Sequence, residues 1–401
     1  VKITGTVIAL LTERLGLLPE LLSVEVVERA LAATFGKREV TLRALTPSSA
    51  EWQRLVDELT VQETWFFRDG EPFRLLAKHA AENGRSPYRV LSIPCATGEE
   101  PYSIAMALAG AGLDAEQIEI DAADVSRAAL DHARRGVYGK ASFRTPMDSA
   151  MRRRYFAACE DGTKVRREIA ALVRFDQANL LDLAQYRARG AYDAVFCRNA
   201  LIYLTAEARS RAITELRDLV RDDGLLFTGH SEVMLFLDAG FERVEHDSGF
   251  ACRKRTQALA PPSKPVRAPV SRARKPAPQR STRKTPAPEP AADLAQAGDL
   301  ANRGDLAAAE VICKRLVAQG TEDATVYALL GVISQTGGQF EPAEELFRTA
   351  LYLDPHHYES LLHMSLLCDR RGDKEAGRRY RTRAGRALER QLTRDTMESM
   401  S

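Results

Sequence analysis

The stretch SIPCATGEEPYSIA, Ser92 to Ala105, follows the apolar run Tyr88-Arg-Val-Leu. It reads as a buried strand, a tight turn, and then two carboxylates before a proline and a helix. Ala96, Thr97 and Gly98 are small enough for backbone to approach a ligand closely. There is no glycine-rich dinucleotide fingerprint here. Glu99 and Glu100 suit the positive end of a helix dipole but would repel a phosphate. They point to a ligand carrying positive charge, or to nothing more than a favourable helix start.

Working outward, YRVLSI, IEIDAADV, YDAVFCRN and GLLFTG alternate with helical stretches between residues 88 and 255. Strands alternating with helices predict an α/β fold with a parallel sheet covered on both faces. Ligands in such sheets bind beyond the carboxyl ends of the strands. The second strand ends in Asp124, where a carboxylate can accept from both hydroxyls of a ribose, although Asp before Ser126 also suits a helix cap. A ribose partner beside an acidic helix start describes a nucleoside without pyrophosphate that bears a cation. S-adenosylmethionine has that charge pattern.

Four separated motifs then carry a family resemblance: TVQETWFFRD (Thr60–Asp69), CATGEEPYSIA (Cys95–Ala105), AADVSRAALDHARRGVY (Ala122–Tyr138) and FCRNALIYL (Phe196–Leu204), with NLLD from Asn179 as a fifth. In order and spacing the chain resembles the chemotaxis-receptor methyltransferase family (CheR) over residues 10 to 255. That resemblance implies a class I, Rossmann-like methyltransferase sheet with S-adenosylmethionine as cofactor. It implies that Thr64 and Arg68 approach the cofactor and the reaction centre, and that Glu99 meets the methionyl ammonium group. Asp124 would bind the ribose, Asn179 and Leu180 the adenine, and Arg198 and Asn199 would complete the pocket. Tyr203 would border the methyl group, with a place in the core as its other reading. The family commonly has Asn where Gln62 stands; Gln62 is retained as a cofactor contact, as is Ala96.

The implied reaction is methyl transfer to a glutamate carboxylate of a chemoreceptor's cytoplasmic helical domain. A glutamate side chain, with a pKa of about 4.3, is already ionised at neutral pH and needs no general base. Catalysis then rests on alignment and desolvation. The catalytic assignments are Arg68, steering the carboxylate, Arg198 sharing that work, and Tyr203. Trp65, Phe66 and Phe67 read as packing between the first helices and the sheet. His230 follows a strand and is given no proton to carry. Cys95 and Cys197 read as small buried fillers.

The family's small antiparallel β subdomain corresponds to residues 139–175. Its hairpin holds one glycine, Gly162, so it resembles members that dock receptors without a tether. Arg152, Arg153, Arg154, Lys164, Arg166 and Arg167 would meet acidic receptor helices or form an ordinary solvated face.

The chain has 401 residues, a net charge of +2 and 45% hydrophobic residues, enough for two or three soluble domains. Six scattered cysteines and seven histidines form neither a CxxC motif nor a metal pattern, so no metal is expected, and the chain reads as cytoplasmic. No run reaches the roughly 20 apolar residues of a membrane span, so no insertion is expected. Residues 1–84 read as a helical domain and 85–255 as the methyltransferase domain. From Arg253 to Pro290 there are eleven Lys or Arg, nine Pro and one acidic residue, so 256–290 reads as a basic, extended linker. A polybasic contact with nucleic acid or lipid is its other reading.

Beyond it, Gly304, Gly338 and Gly372 recur every 34 residues, as do Leu316, Ala350 and Ala384. That is the tetratricopeptide period. Residues 291–390 are therefore expected to form such repeats and to bind a protein partner, with 391–401 as a tail. The third unit departs at Arg381, where the middle one has Phe347. Together the sheet and repeats resemble the subgroup serving Wsp-type surface sensing, associated with membrane receptor arrays. Two other functions are a repeat scaffold without catalysis and a nucleic-acid methyltransferase of the same fold. Stable nucleic-acid binding is not expected, because no base-modifying motif or RNA-binding module is present.

Overall fold

The computed structural model of the chain describes residues 2–36, 41, 45–60, 62–229, 232–244, 250–255, 290–302 and 305–399. Three helices come first: α1 (Lys2–Leu15), α2 (Val24–Phe35) and α3 (Ala50–Leu59). Ser23 and Ser49 cap the second and third, accepting from the amides of Val26 and Trp52. Val7, Leu11, Val27, Leu31, Trp52 and Leu55 close their apolar faces into one core. The next helix, α4 (Glu71–Asn83), carries Pro72 in its first turn and stops at Gly84, whose φ of +67° lies in the left-handed region.

The sheet region then runs β1 (Tyr88–Ser92), α5 (Glu99–Gly110), β2 (Ile118–Asp124) and α6 (Arg127–Arg135). A small excursion follows: β3 (Val137–Tyr138), α7 (Ser149–Tyr155), β4 (Phe156–Cys159), β5 (Gly162–Val165) and α8 (Arg167–Ala170). The chain returns through β6 (Val173–Gln177), α9 (Ala184–Arg189), β7 (Tyr192–Cys197), α10 (Ala206–Leu219) and β8 (Val220–Thr228). It finishes with α11 (Val233–Asp238), β9 (Phe241–Arg243) and β10 (Ala251–Lys254).

Seven strands make one sheet in the order β6-β2-β1-β7-β8-β10-β9. Its first five strands are parallel, and successive side chains of β1 enter opposite cores: Val90 joins one apolar cluster and Leu91 the other. Both faces are therefore covered, as a parallel sheet requires. The expectation of a wholly parallel sheet fails at one edge, where β10 is antiparallel to both β8 and β9. Too few residues join β9 to β10 for a parallel crossover. Chain order reverses between β1 and β7, which opens a crevice at their carboxyl ends.

The small antiparallel sheet, β3-β5-β4, occupies residues 137–165. Phe175, expected in that subdomain, lies instead in edge strand β6 of the large sheet and packs against Tyr102. Gly162 is needed where it stands: at its φ of +140° a Cβ would come 2.6 Å from the Tyr138 carbonyl oxygen.

The C-terminal part is three consecutive helix hairpins: α12 (Pro290–Asn302) with α13 (Leu306–Ala318), α14 (Ala324–Thr336) with α15 (Phe340–Leu353), and α16 (Tyr358–Arg371) with α17 (Lys374–Ser399). Gly331 lets the second pair close, since a Cβ there would stand 2.7 Å from the Phe347 ring. Gly338 and Gly372 turn the chain at φ of +76° and +82°; Gly304 lies outside the described residues. The last helix runs through 391–399, the stretch expected to be a tail. Residues 256–289 also lie outside the described set. Among the described residues no helix is long and apolar enough to cross a membrane.

Candidate active site

A cleft of about 1000 Å³, counting its mouth open to solvent, lies at the carboxyl ends of β1 and β2. Of the residues assigned from sequence, Gln62, Asp124, Asn179, Leu180, Asn199 and Tyr203 line it. Thr64, Arg68, Ala96, Glu99 and Arg198 stand outside that lining. The apolar wall came as a finding, since the first 50 residues carry no motif. Leu15, Leu17, Leu21 and Leu22 form it, held there by two strand-like bonds: the Leu18 amide donates to the Tyr203 carbonyl (2.9 Å) and the Thr205 amide to that of Gly16 (2.8 Å). No sequence signal short of the contact itself could have shown this.

The opening motif divides its two carboxylates between two tasks. Glu99 is buried and accepts from the hydroxyls of Thr97 (2.7 Å) and Ser142 (2.8 Å). Glu100 accepts from Ser92 (2.9 Å) and pairs with Arg198 (3.1 Å). Gly98, read as clearance for a ligand, is instead clearance for a helix. Its Cβ would fall 2.6 Å from that of Ala133 on α6.

Asp124 is buried at the end of β2, accepting from the amides of Ala96 (2.8 Å) and Ser126 (2.9 Å). The Ala96 amide thus positions a carboxylate rather than facing the cleft directly. Burial raises the pKa of both Asp124 and Glu99, making them weaker acids, and hydrogen bonds to their oxygens only partly oppose it. A bound cation favours the ionised forms. Binding of S-adenosylhomocysteine, whose ammonium group remains cationic, should therefore weaken as pH falls through the raised titration range of these two carboxyls. Calorimetry in buffers of different ionisation heat should show protons released on binding in that range.

Asn179 has both side-chain polar atoms committed, donating to the Arg14 carbonyl (2.7 Å) and accepting from the Leu181 amide (3.0 Å). One amide hydrogen, one carbonyl lone pair and its backbone remain for contact with a base. Gln62 donates to Thr60 (2.8 Å), while its buried Oε1 has no partner. Val125, Leu180, Leu15 and Leu59 supply a flat apolar slot beside these groups. Such a cleft fits a nucleoside with a cationic tail: apolar walls for a base, Asp124 for hydroxyls, an open acceptor at Gln62, and net negative charge nearby.

Arg198 requires a correction. Its side chain is 2% exposed and pairs with Asp69 and Glu100, while also donating to the Arg68 carbonyl (3.2 Å). Phe67 and Asp69 sit at φ of +54° and +61°, a left-handed conformation that non-glycine residues adopt only under constraint. Arg198 is thus the clamp on the turn presenting Arg68, and its guanidinium is committed there. Arg68 is free by comparison. It stacks 4.5 Å from the Trp65 ring and donates to the Glu63 carbonyl, with no carboxylate partner among the described residues. Its charge is felt by Tyr203.

Of the aromatic run, Phe66 and Phe67 pack into the core that α4 shares with the sheet, and Trp65 alone stands apart. Phe66 packs on Tyr138, Phe143 and Phe156 of the small subdomain, and Phe67 on Phe73. Trp65 is half-buried between Arg68 and Arg144. Cys95 and Cys197 are buried, and burial pushes both thiols well up. His230 lies outside the described residues. Among those described, no cluster of His, Cys, Asp or Glu is placed to hold a metal.

One residue was missed altogether. Glu232 is fully buried and accepts from the amides of Asn199 (2.7 Å), Leu201 (2.7 Å), Ile202 (3.3 Å) and Gly229 (3.1 Å). It holds the loop from Asn199 to Tyr203, including Asn199 itself at φ +57°. A lone Glu after a strand gives no warning of this in sequence. Glu232→Gln keeps one acceptor and turns an NH₂ toward amide donors. Thermal or denaturant unfolding should show a loss of about 2 kcal/mol.

Comparisons with known proteins agree with this geometry. The family described as "CheR methyltransferase, SAM binding domain" matches residues 62–250. The chain is 35% identical to the "Probable biofilm formation methyltransferase WspC" of Pseudomonas aeruginosa, over 94% of this chain and 97% of that protein. The Pseudomonas putida protein of the same description is 36% identical, over 94% and 96%. The "Chemotaxis protein methyltransferase" of Salmonella typhimurium is 37% identical over 51% of this chain and 72% of its own. Likeness along nearly the whole length, the match to an S-adenosylmethionine-binding domain and a cleft suited to that cofactor lead to one conclusion: the chain belongs to the CheR methyltransferase family.

Proposed function

We propose that the protein transfers a methyl group from S-adenosylmethionine to glutamate carboxylates on the cytoplasmic helical domain of a chemoreceptor, within a Wsp-type pathway. The observation that carries this reading is the character of the cleft. Its described lining contains no His, Lys or Cys. An acceptor that arrives already ionised, as a carboxylate does, suits such a lining.

When bound, S-adenosylmethionine supplies a methyl group made electrophilic by its sulfonium. Asp124 would hold the ribose hydroxyls, and the apolar slot with the backbone of Asn179 and Leu180 would hold the adenine. Gln62 Oε1 offers an acceptor at the cleft wall. Glu99, with Thr97 and Ser142 fixing its oxygens, contributes negative charge near the methionyl end. Thr64 and Ala96 act around this site through the turn and the Asp124 bond. Arg68 meets the incoming carboxylate, and its stack on Trp65 restricts it to one approach. Tyr203 borders the point of transfer. The step needs alignment and exclusion of water rather than a proton acceptor.

The exposed Arg152, Arg153, Arg154, Lys164, Arg166 and Arg167 cluster on and around the small sheet. They offer a docking face for acidic receptor helices. In this reading the enzyme works in the cytoplasm at receptor arrays, and the repeats of 291–390 also bind a protein partner. Labelled S-adenosylmethionine incubated with purified receptor cytoplasmic domains tests it. Label should enter the receptor and be released by mild base, as from an ester. Absence of transfer, or a base-stable product, overturns the proposal.

A further inference from the structure

The third helix hairpin is built into the catalytic part rather than hung beside it. Gly385 of α17 lies against the 19–21 turn, where a Cβ would stand 2.4 Å from the Glu20 carbonyl oxygen. Arg381 binds both oxygens of Asp369 (3.0 Å each) and reaches toward Glu20 (3.9 Å). Arg209 of α10, with 9% of its side chain exposed, faces Asp369 from the other side (3.6 Å). Arg370 pairs with Asp238 (3.0 Å). Arg381, the residue that departs from the repeat pattern, thus has its reason in docking. The close fit at Gly385 and the shared apolar cluster of Leu21, Ile202 and Tyr358 hold these parts together.

This docking brings Tyr358, the first residue of α16, over the cleft loop. Leu21 and Ile202 pack into the same apolar cluster as Tyr358. The repeat does not ask for a large residue there, since the corresponding position 34 residues earlier is Ala324. The Tyr358 hydroxyl is buried and short of regular hydrogen-bond geometry with any group, yet it faces the Tyr203 hydroxyl closely enough for each to shift the other. Buried and with no other partner, the Tyr358 hydroxyl can turn its proton only toward Tyr203, whereas Tyr203 lines the cleft and can turn its own proton outward.

We propose that Tyr358, supplied by the repeat array, is a positioning residue for methyl transfer: its hydroxyl donates to the Tyr203 oxygen and leaves the Tyr203 proton to meet the arriving carboxylate. A phenol has one proton to give. With its oxygen held by Tyr358, Tyr203 directs that proton outward, next to Arg68. The repeat array is in this way a part of the catalytic unit. The inference rests on the assignment of Tyr203 to the transfer end of the cleft.

Full-length Tyr358→Phe, Tyr203→Phe and the double variant test it. Tyr358→Phe should melt as the wild type does, since the lost hydroxyl has no regular bond, and should bind S-adenosylhomocysteine within twofold of wild type. Its kcat on a receptor domain should fall about 5- to 10-fold, and the double variant should be no slower than Tyr203→Phe alone. An unchanged kcat overturns the inference, as do a multiplicative loss in the double variant, a lowered melting temperature or weakened nucleoside binding. If the wild type itself transfers no methyl to a receptor domain, the functional reading falls and takes the inference with it. If the wild type is active and Tyr358→Phe equals it, the inference alone falls.

Discussion

Arg198→Ala should lower folding stability by about 3–5 kcal/mol, the cost of leaving a buried carboxylate without its partner. Two carboxylates are affected. Asp69 and Glu100 have side chains only 9% and 13% exposed, and both pair with this one guanidinium. The substitution also frees the Arg68 carbonyl and the left-handed turn around it. Denaturant unfolding followed by circular dichroism checks the stability. A loss below about 1 kcal/mol would show the cluster to be solvated and the clamp absent. Arg198→Lys should recover little, because an ammonium lacks the planar fork that reaches both acids and the carbonyl together.

Arg68→Ala should give the opposite profile: nearly full stability and a fall in kcat/KM of about 10²- to 10³-fold. That is the range for removing one preorganised group from a developing transition state. Within the fold its guanidinium has a ring beneath it and one carbonyl to donate to, so little packing is lost. Affinity for S-adenosylhomocysteine should change only a few-fold, because Arg68 stands outside the cleft lining. Single-turnover methylation of a receptor domain, beside calorimetric titration of the nucleoside, separates the two quantities. Retained kcat/KM in Arg68→Ala would remove this arginine from the mechanism.

The contrast between the two arginines shows where reading the chain alone stops. FCRN and FFRD present Arg198 and Arg68 as equals, each in a motif and each beside an acid or amide. Their roles separate only when β7 and the turn after Phe67 meet, because one guanidinium is then surrounded by two carboxylates and the other by a tryptophan. Glu232 is a more extreme case. A carboxylate that collects four backbone amides from two loops has no local signature, since its partners lie up to 33 residues away. The apolar wall from Leu15 to Leu22 is similar. Ordinary leucines of a helix end become part of a site only through pairing with the Tyr203 segment.

Local signals succeeded where the physics is local. Strand periodicity, the Pro72 and Gly84 helix limits and the 34-residue glycine spacing each depend on a few neighbouring dihedrals. The turn after β1 and the acid ending β2 could be placed because sheet topology puts successive strand ends side by side. Sequence by itself therefore determined the alternating α/β plan, the repeat period, and the placing of Asp124 at the end of β2 beside the cleft. Only the tertiary structure decided which carboxylate is held by hydroxyls and which pins a clamp, which arginine is left free, and that a C-terminal helix packs Tyr358 beside Leu21 and Ile202. Charge pairing and burial depend on distances between segments far apart in the chain, and those distances exist only after the cores have packed.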